Sequence, residues 1–480
     1  MLPGLQRSIL IIMARETLGS RLGFLALAAG CTIGLGNIWR FPFITGKYGG
    51  GAFVLIYLVF LAILGYPILT MELAIGRAGG CNLVGAYRKL GGKNGNIYCK
   101  LGALFFTGNL LLLMYYSSVT GWLGSYLVGY LNGSLALCKS TDATAAYFNH
   151  VISNPIIAVS GMAAVTLFST VICAIGLQKG VEKTVKWMMA LLFLMLLVLA
   201  VRSCFLPGAL KALKFYLLPD FSKVAQQGIW ATLYAAMGQA FFTLSIGMGS
   251  MAIFGSYIDR KRALGNESAI IIGLDTFVAL LSGLLIFPIC FSFGVNVAQG
   301  PGLVFVSMPN IFNNMPFQQI TGSAFFFFLL LAALTTLIAV IENIAAFCID
   351  EFKFSRVKAA LISGFSIMIL SVPCALGFGL WKNIQPLGKG SSILDLEDFI
   401  VSQNILPLGT FLILFFCISK RAWGWKNFTK EADCGIGFKF PKKSFFYLKY
   451  ILPLLIAAVF VAGYIQQFDL VTKINALLSK

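Results

Sequence analysis

Long apolar stretches alternate with short polar segments along the whole chain. Because backbone polar groups in lipid must be paired within the segment that carries them, each stretch of about 20 apolar residues predicts a transmembrane helix. The pattern therefore indicates an all-α integral membrane protein with about eleven spans. They lie near 21–43, 50–75, 101–131, 155–176, 184–204, 228–257, 266–298, 321–349, 357–380, 393–418 and 446–466.

The composition agrees with a membrane location. Hydrophobic residues make up 59% of the 480 positions, charged residues make up 11%, and the mean hydropathy is +0.88. A soluble protein of ordinary composition carries about 25% charged residues. We therefore expect the lipid bilayer to surround most of this chain.

The net charge of +19 is concentrated in alternate loops, with the loop 205–227 as a partial exception. Lysine and arginine follow the second, fourth, sixth, eighth and tenth stretches, whereas the segment 300–320 has none. By the positive-inside rule this predicts a cytoplasmic N-terminus, and the odd span count then places the C-terminus outside. The same distribution argues against nucleic acid as a partner. We expect a multi-pass plasma-membrane protein, and the absence of long polar tails favours a bacterial inner membrane.

The chain offers little for metal or catalytic chemistry. Many of its eleven cysteines lie inside apolar stretches, where a free thiol packs as a small hydrophobic group, and no metal-ligand spacing occurs. The single histidine, His150, lies in a predicted outer loop. Because no nucleophile–base pair or phosphate-binding loop is found, we do not expect an enzyme.

Two apolar stretches are interrupted by glycine at similar positions. Residues 33–36 read IGLG in the first stretch, and residues 246–249 read IGMG in the sixth. One interpretation is coincidence, because glycine is common in membrane helices. The other is that matched interruptions mark inverted repeats with a binding site at the midplane. Half-helix N-termini at such a site favour an anion, and unwound carbonyls favour cations.

Longer motifs surround these glycines. RLGFLALAAGCTIGLGNIWRFPFITGKYGGGAF begins at residue 21, PILTMELAIGR at 67, GQAFFTLSIGMG at 238 and ALTTLIAVIEN at 333. Together they resemble the neurotransmitter:sodium symporter family, in particular its bacterial, leucine-transporter-like members with eleven spans. The resemblance implies one transporter domain (1–480) with the leucine-transporter fold, in which spans 1 and 6 are discontinuous. Its 5+5 inverted repeat would comprise residues 15–204 and 228–418, followed by an extra span at 446–466.

The resemblance also implies two sodium sites built from oxygen ligands. The first is expected to use Thr32, Asn37, Thr243 and Asp275 together with the carboxylate of the substrate. The second is expected to use the carbonyls of Gly30, Ile33 and Ala332 and the hydroxyls of Thr335 and Thr336. An alternative for the two threonines is that they bond back to carbonyls of their own helix.

Asp275 differs from the asparagine that is usual at its position in the family. An acid inside a membrane span is a functional candidate, because it must be protonated or paired. Many animal members bind chloride beside this site, and some bacterial members carry an acid at the position of Ala279. Our hypothesis is that Asp275 supplies the negative charge, so that transport needs no chloride. A neutral Asp275 that caps a backbone group is the alternative.

The substrate pocket implied by the resemblance lies between the two interruptions. Gly34 stands where monoamine-transporting members carry an aspartate, so the substrate is expected to bring its own carboxylate, which Tyr116 would bind. The apolar members of the pocket predict a hydrophobic or aromatic L-amino acid. The expected pocket residues are Cys31, Thr32, Leu35, Gly36, Leu112, Tyr116, Phe242, Ser245, Met248, Thr336 and Val340.

Charged pairs on either side of the pocket resemble the gates of the family. The outer gate is expected at Arg40 and Asp398, with Gln239 nearby and Phe242 as a lid, and the cytoplasmic gate at Arg15, Asp350 and Tyr257. For Arg15 and Asp350 the alternative is simple charge beside the membrane. Two further intramembrane acids, Glu72 and Glu342, are expected to brace the unwound part of span 6.

These expectations predict a sodium-coupled symporter that imports an amino acid by alternating access. The alternative is a channel or sensor that uses the same pocket without coupled transport. The complete set of ion ligands and gate residues favours the transporter, since a sensor has no need of all of them. No feature of the sequence predicts the oligomeric state.

Overall fold

The structure, a computed structural model, describes residues 16–297, 300 and 302–467, and these form an all-helical bundle without strands. We number its helices in chain order. They are α1 (Arg21–Thr32), α2 (Gly36–Lys47), α3 (Gly51–Gly79), α4 (Leu83–Leu90), α5 (Gly92–Leu131), α6 (Thr141–Ser153), α7 (Pro155–Ile175), α8 (Leu177–Cys204), α9 (Ala209–Leu217), α10 (Phe221–Gln227), α11 (Ile229–Thr243), α12 (Ser250–Gly255), α13 (Leu264–Phe293), α14 (Leu303–Asn313), α15 (Gln318–Phe352), α16 (Arg356–Leu376), α17 (Ile393–Ile418), α18 (Trp425–Ala432) and α19 (Lys442–Ile465).

Most of the predicted spans are present as long apolar helices. Within the described ranges, nine helices are long and apolar enough to cross a membrane, and the bent pair α1 and α2 makes a tenth. The predicted sixth span consists of α11 and the six-residue α12, which are separated by residues 244–249. The count of eleven spans therefore stays a prediction, in which α11 and α12 together make the remaining span.

The first interruption is a real break in the helix. The helix α1 begins at the cap Ser20, whose side chain accepts a hydrogen bond from the Gly23 N–H, and it ends at Thr32. Ile33 is extended, and α2 continues with a bend of 54°. Because glycine stabilises a helix interior less than alanine by about 1 kcal/mol, the glycines at 34 and 36 favour a break here.

The second interruption is unwound over six residues. Ser245, Gly247 and Gly249 all have positive φ, at 49°, 88° and 77°. A Cβ atom on Gly247 would lie 2.3 Å from the carbonyl oxygen of Leu406, so glycine is required there for both conformation and space. The two breaks predicted from the glycine pattern are confirmed.

One helix lies at the centre of the bundle. In its most apolar window, 83% of α15 is buried, compared with 22% of α19. The helix α15 packs against α1, α5, α7, α8 and α16, and it therefore forms a scaffold on which the first break rests. The outer helices expose many large apolar side chains, as surfaces that contact lipid do.

Candidate functional site

The first break faces a buried polar cluster made of Asn37, Thr243 and Asp275. The Asn37 amide nitrogen donates to the Thr243 hydroxyl at 3.0 Å and to Asp275 Oδ1 at 2.9 Å, and the Thr243 hydroxyl donates to Asp275 Oδ2 at 3.0 Å. All three side chains are buried, and Thr32 also interacts with the Asp275 carboxylate. The structure therefore brings together the four residues predicted for the first sodium site.

The Asn37 amide has a defined orientation in this cluster. Its oxygen accepts from the Gly34 N–H at 3.2 Å, so the nitrogen faces the carboxylate of Asp275. A cation bound between Asp275 and Thr243 would need the oxygen on that side, and the amide would then have to turn by half a rotation about its terminal bond. The sequence could predict the residues of this cluster but not this orientation.

The residues predicted for the second sodium site lie where α1 meets α15. The Thr336 hydroxyl donates across the interface to the Gly30 carbonyl at 3.2 Å, and the Thr335 hydroxyl donates to Ala332 of its own helix at 2.9 Å. A Cβ atom on Gly30 would lie 3.3 Å from the Thr335 Cβ, so glycine permits this close approach. Ile33, at the end of α1, is fully buried. Both threonines bond to the Ala332 carbonyl of their own helix, Thr336 at 3.5 Å, and Thr336 also bonds across to α1. Their role as sodium ligands stays a prediction.

A cavity lies between the two breaks, and ten of the eleven predicted pocket residues line it. The exception is Val340, which is buried one helical turn beyond Thr336, and its place in the substrate pocket stays a prediction. The helix α17, which carries the predicted gate residue Asp398, supplies further apolar wall in the form of Val401 and Leu406. The lining residues are Cys31, Thr32, Gly34, Leu35, Gly36, Leu112, Tyr116, Phe242, Ser245, Met248, Thr336, Val401 and Leu406.

Tyr116 lies beside the buried backbone amides of the first break. Its hydroxyl accepts from the Leu35 N–H at 3.5 Å and also interacts with Thr336. A Cβ atom on Gly34 would lie 2.8 Å from both the Tyr116 and the Thr336 hydroxyl oxygens. An acidic side chain at position 34 therefore has no room in this arrangement, and the polar surface of the cavity consists of amides and hydroxyls.

The unwound segment 244–249 is held by two polar side chains. Glu72 accepts hydrogen bonds from the N–H groups of Gly247, at 3.1 Å, and Met251, at 3.0 Å, so its predicted bracing role is confirmed. Asn109 was missed, although its amide donates to the Met248 carbonyl at 2.8 Å and accepts from the Ser250 hydroxyl at 3.0 Å. An asparagine inside the apolar run FFTGNLLLL was the signal that could have identified it.

Glu342 has a different role from the one predicted. Its carboxylate accepts from the Tyr257 hydroxyl at 2.8 Å and from Arg356 at 2.5 Å, and not from the unwound segment. The reason is its position near the end of α15, beyond the depth of the break in span 6. Arg356 also pairs with Glu16 at 2.9 Å, so a residue near the start of the chain joins Glu342 and Arg356 in one network of three charged residues.

The predicted cytoplasmic gate is described only in part. Arg15 lies outside the described residues. Asp350 accepts from the backbone N–H of Asn82 at 2.5 Å and from its side-chain amide at 3.2 Å. The Tyr257 carbonyl accepts from the Leu18 N–H at 3.4 Å, which connects the start of the described chain to the turn that follows α12.

The predicted outer-gate residues Arg40 and Asp398 do not form an ion pair, and Arg40 instead lies over Phe242. The guanidinium carbon of Arg40 lies 4.0 Å from the centroid of the Phe242 ring, and Asp398 accepts from the Ser402 hydroxyl at 2.7 Å. Gln239 is fully buried and donates to the Gly36 carbonyl at 3.1 Å. Phe242 lines both the inner cavity and a second, larger cavity on the Arg40 side. It therefore has the position of a lid between the two.

Comparison with known proteins agrees with this architecture. A model of the sodium:neurotransmitter symporter family matches residues 15–160 and 150–474. An uncharacterized sodium-dependent transporter of Bacillus subtilis (strain 168) is 34% identical over 92% of this chain and 96% of its own length. Another, from Haemophilus influenzae, is 33% identical over 94% of this chain and 98% of its own.

More distant relatives and a solved structure extend the comparison. The sodium- and chloride-dependent GABA transporter 2 of Bos taurus is 26% identical over 95% of this chain and 81% of its own. The crystal structure of MhsT in complex with L-phenylalanine superposes with a TM-score of 0.83, at 36% identity, over 94% of this chain and all of that one.

The chain therefore belongs to the sodium:neurotransmitter symporter family. It is a multi-pass membrane transporter with the leucine-transporter fold. It is one of the sodium-dependent symporters and not an enzyme.

Proposed function

We propose that this protein is a sodium-coupled importer of a hydrophobic or aromatic L-amino acid that works by alternating access without chloride. The observation that carries the proposal is the position of the Asn37–Thr243–Asp275 cluster, which adjoins an apolar cavity with amides and a tyrosine hydroxyl in its wall. Coupled transport requires that ion ligands and substrate ligands lie next to each other, and a break in a membrane helix can supply both.

The ion part of the proposal assigns two sodium ions. One would bind at Asp275 and Thr243, with the Asn37 amide turned so that its oxygen faces the ion, and with the substrate carboxylate as a further ligand. The other would bind between α1 and α15 at Gly30, Ala332 and the two threonines. Because the first ion shares the substrate carboxylate, each ligand raises the affinity of the other, which is the thermodynamic basis of symport.

The substrate part rests on the wall of the cavity. Leu112, Met248 and Leu406 form apolar surface, and the N–H of Leu35 and the hydroxyl of Tyr116 lie where a carboxylate could accept from them. The solved relative that was crystallised with L-phenylalanine supports a ligand of this class. The absence of an acid at Gly34 favours an amino acid over a monoamine.

The absence of a chloride requirement is proposed from Asp275. In this proposal the buried carboxylate of Asp275 carries the negative charge next to the place of the first ion. A bound chloride there would add a second negative charge at a site where one is enough to balance a sodium ion. We further propose that the N-terminus is cytoplasmic and that the membrane is a bacterial inner membrane, as the loop charges favour.

Uptake into proteoliposomes tests the proposal. The purified protein would be reconstituted, and uptake of labelled leucine, phenylalanine and tryptophan would be measured with an inward sodium gradient, in chloride and in gluconate. We expect accumulation above the external concentration in both media, and its loss when choline replaces sodium. Equilibration without accumulation would identify a channel, and binding without uptake would identify a sensor.

A further inference from the structure

A groove runs between α17 and α19 at the end of the bundle that carries the loop 419–441. We call it the basic-end groove. Its wall is formed by Phe411, Leu414 and Ile418 on one side and by Leu448 and Pro453 on the other, and its volume is about 470 Å³. That volume is within the range of about 300–1,000 Å³ that is typical of ligand pockets.

The groove opens at the level of the membrane surface. The helix α17 ends at Ile418 and α19 begins at Lys442, and both are long and apolar enough to cross a membrane. Phe415, which lines the groove, is exposed by 48%. Because this surface faces hydrocarbon in a bilayer, the molecules that reach the groove are lipids.

Two lysines stand at the mouth of the groove. Lys420 and Lys449 line it, and no carboxylate lies within 4.0 Å of either in the described part of the chain. The Lys449 ammonium lies 4.8 Å from the centroid of the Tyr450 ring, which keeps it beside the apolar wall.

The charge around the groove is unbalanced. Residues 420–449 contain eight lysines and arginines and two acids, Glu431 and Asp433. Both acids are already engaged, since Glu431 pairs with Arg77 at 2.7 Å and Asp433 lies 3.7 Å from Lys442. The ligand that complements the groove therefore has an anionic head and an apolar tail.

We propose that the basic-end groove is a binding site for an anionic phospholipid. The headgroup phosphate lies between Lys420 and Lys449, and one acyl chain lies against Leu414 and Leu448. Basic pockets between membrane helices bind lipid headgroups in this way. The bound lipid joins α17, which supplies wall to the transport cavity, to α19.

Lipid-dependent thermal unfolding and native mass spectrometry of the full-length protein in detergent test the proposal. We expect phosphatidylglycerol to bind and to raise the midpoint of unfolding more than phosphatidylcholine does. Neutralising one lysine lowers the affinity about fivefold, the equivalent of about 1 kcal/mol, so Lys420→Gln with Lys449→Gln lowers it about 25-fold. The matched control is Lys439→Gln with Lys443→Gln, which likewise removes one charge from the loop and one from the start of α19, but outside the groove.

A second variant, Ile418→Trp, fills the groove while keeping its charge, and it is expected to weaken binding of phosphatidylglycerol as well. The proposal is overturned if the control pair weakens binding as much as the groove pair, since the charge would then act diffusely. It is also overturned if phosphatidylcholine or inorganic phosphate gives the same stabilisation as phosphatidylglycerol, or if Ile418→Trp binds phosphatidylglycerol unchanged.

Discussion

Asp275 is buried at the centre of the membrane domain, where an acid has to be protonated, hydrogen-bonded or matched by a cation. It receives hydrogen bonds from Asn37 and Thr243 through separate oxygens. Asp275→Asn removes the charge and keeps the shape. We expect sodium to activate uptake at concentrations about tenfold higher in this variant, an effect of about 1.4 kcal/mol for a lost charged contact, and uptake to become faster in chloride than in gluconate.

The measurement for Asp275→Asn is uptake against sodium concentration in the two anions. Asp259→Asn is the matched control, because Asp259 is an exposed acid beyond the end of α12 that pairs with Lys261. It should behave as the unmodified protein does. An unchanged sodium dependence together with indifference to chloride in Asp275→Asn would contradict the assigned role.

Tyr116 is the side chain that we expect to bind the carboxylate of the substrate. Tyr116→Phe removes one hydroxyl from the cavity wall and leaves the ring in place. A hydrogen bond to a charged group contributes about 1.5–3 kcal/mol, so affinity for leucine or phenylalanine should fall by about tenfold or more. Equilibrium binding of the labelled amino acid measures this. Tyr98→Phe, in the same helix away from the cavity, should bind normally, and equal affinities in the two variants would exclude the role.

At the scale of the element, the unwound segment 244–249 depends on glycine. Gly247→Ala places a Cβ atom 2.3 Å from the Leu406 carbonyl oxygen and 2.6 Å from the Thr410 hydroxyl, on a backbone with φ of 88°. Strain of about 1–3 kcal/mol for the conformation adds to this collision. We expect a clear fall in the midpoint of thermal unfolding and loss of substrate binding.

Gly238→Ala is the control for that substitution. Gly238 lies in α11, and apart from its chain neighbours and the backbone of its own helix no atom is within 4 Å of the place of its Cβ. Because alanine stabilises a helix interior by about 1 kcal/mol relative to glycine, this variant should unfold at the same temperature or higher. If both variants unfolded at the same temperature, neither space nor backbone conformation would require glycine at position 247.

The breaks were predictable because glycine, asparagine and proline within an apolar run are local signals. Asn37 and Thr243 lie in motifs around the breaks, whereas Asp275 lies in another span and was predicted from the family resemblance. The structure brings all three within hydrogen-bonding distance. Packing between distant helices was not predictable in the same way. Val401 and Leu406 line the cavity without having been predicted to do so. The sequence of a buried apolar helix does not show which of its residues contact which neighbour.

At the scale of the whole molecule, the segment 16–20 is tied to one end of the bundle by polar contacts. The N–H of Gly19 and the hydroxyl of Ser20 donate to Glu182, each at 2.7 Å, and the Thr17 carbonyl accepts from Gln178 at 2.8 Å. Sequence analysis could not find these contacts, because they join residues more than 160 positions apart. They hold α1, and with it half of the first break, in place.

Arg356 is the charged residue that connects the segment 16–20 to the centre of the bundle. It pairs with the exposed Glu16 and with the fully buried Glu342, and its Nε donates to the Cys173 carbonyl at 3.1 Å. Removing the partner of a buried charge costs about 3–5 kcal/mol, whereas an exposed pair contributes about 0–1 kcal/mol. Arg356→Gln should therefore favour the conformation in which the segment 16–20 is detached from the bundle. Glu16→Gln should change the population of that conformation little.

Hydrogen exchange measures the opening. In Arg356→Gln we expect the amides of residues 16–20 to exchange at least about tenfold faster, because the loss of about 3 kcal/mol favours the open conformation. Substrate affinity should fall in parallel, since α1 carries part of the cavity. Arg88→Gln breaks an exposed pair with Glu351 at the same end and should leave both properties unchanged. Equal exchange in the two arginine variants would mean that Arg356 fills space without holding the segment closed.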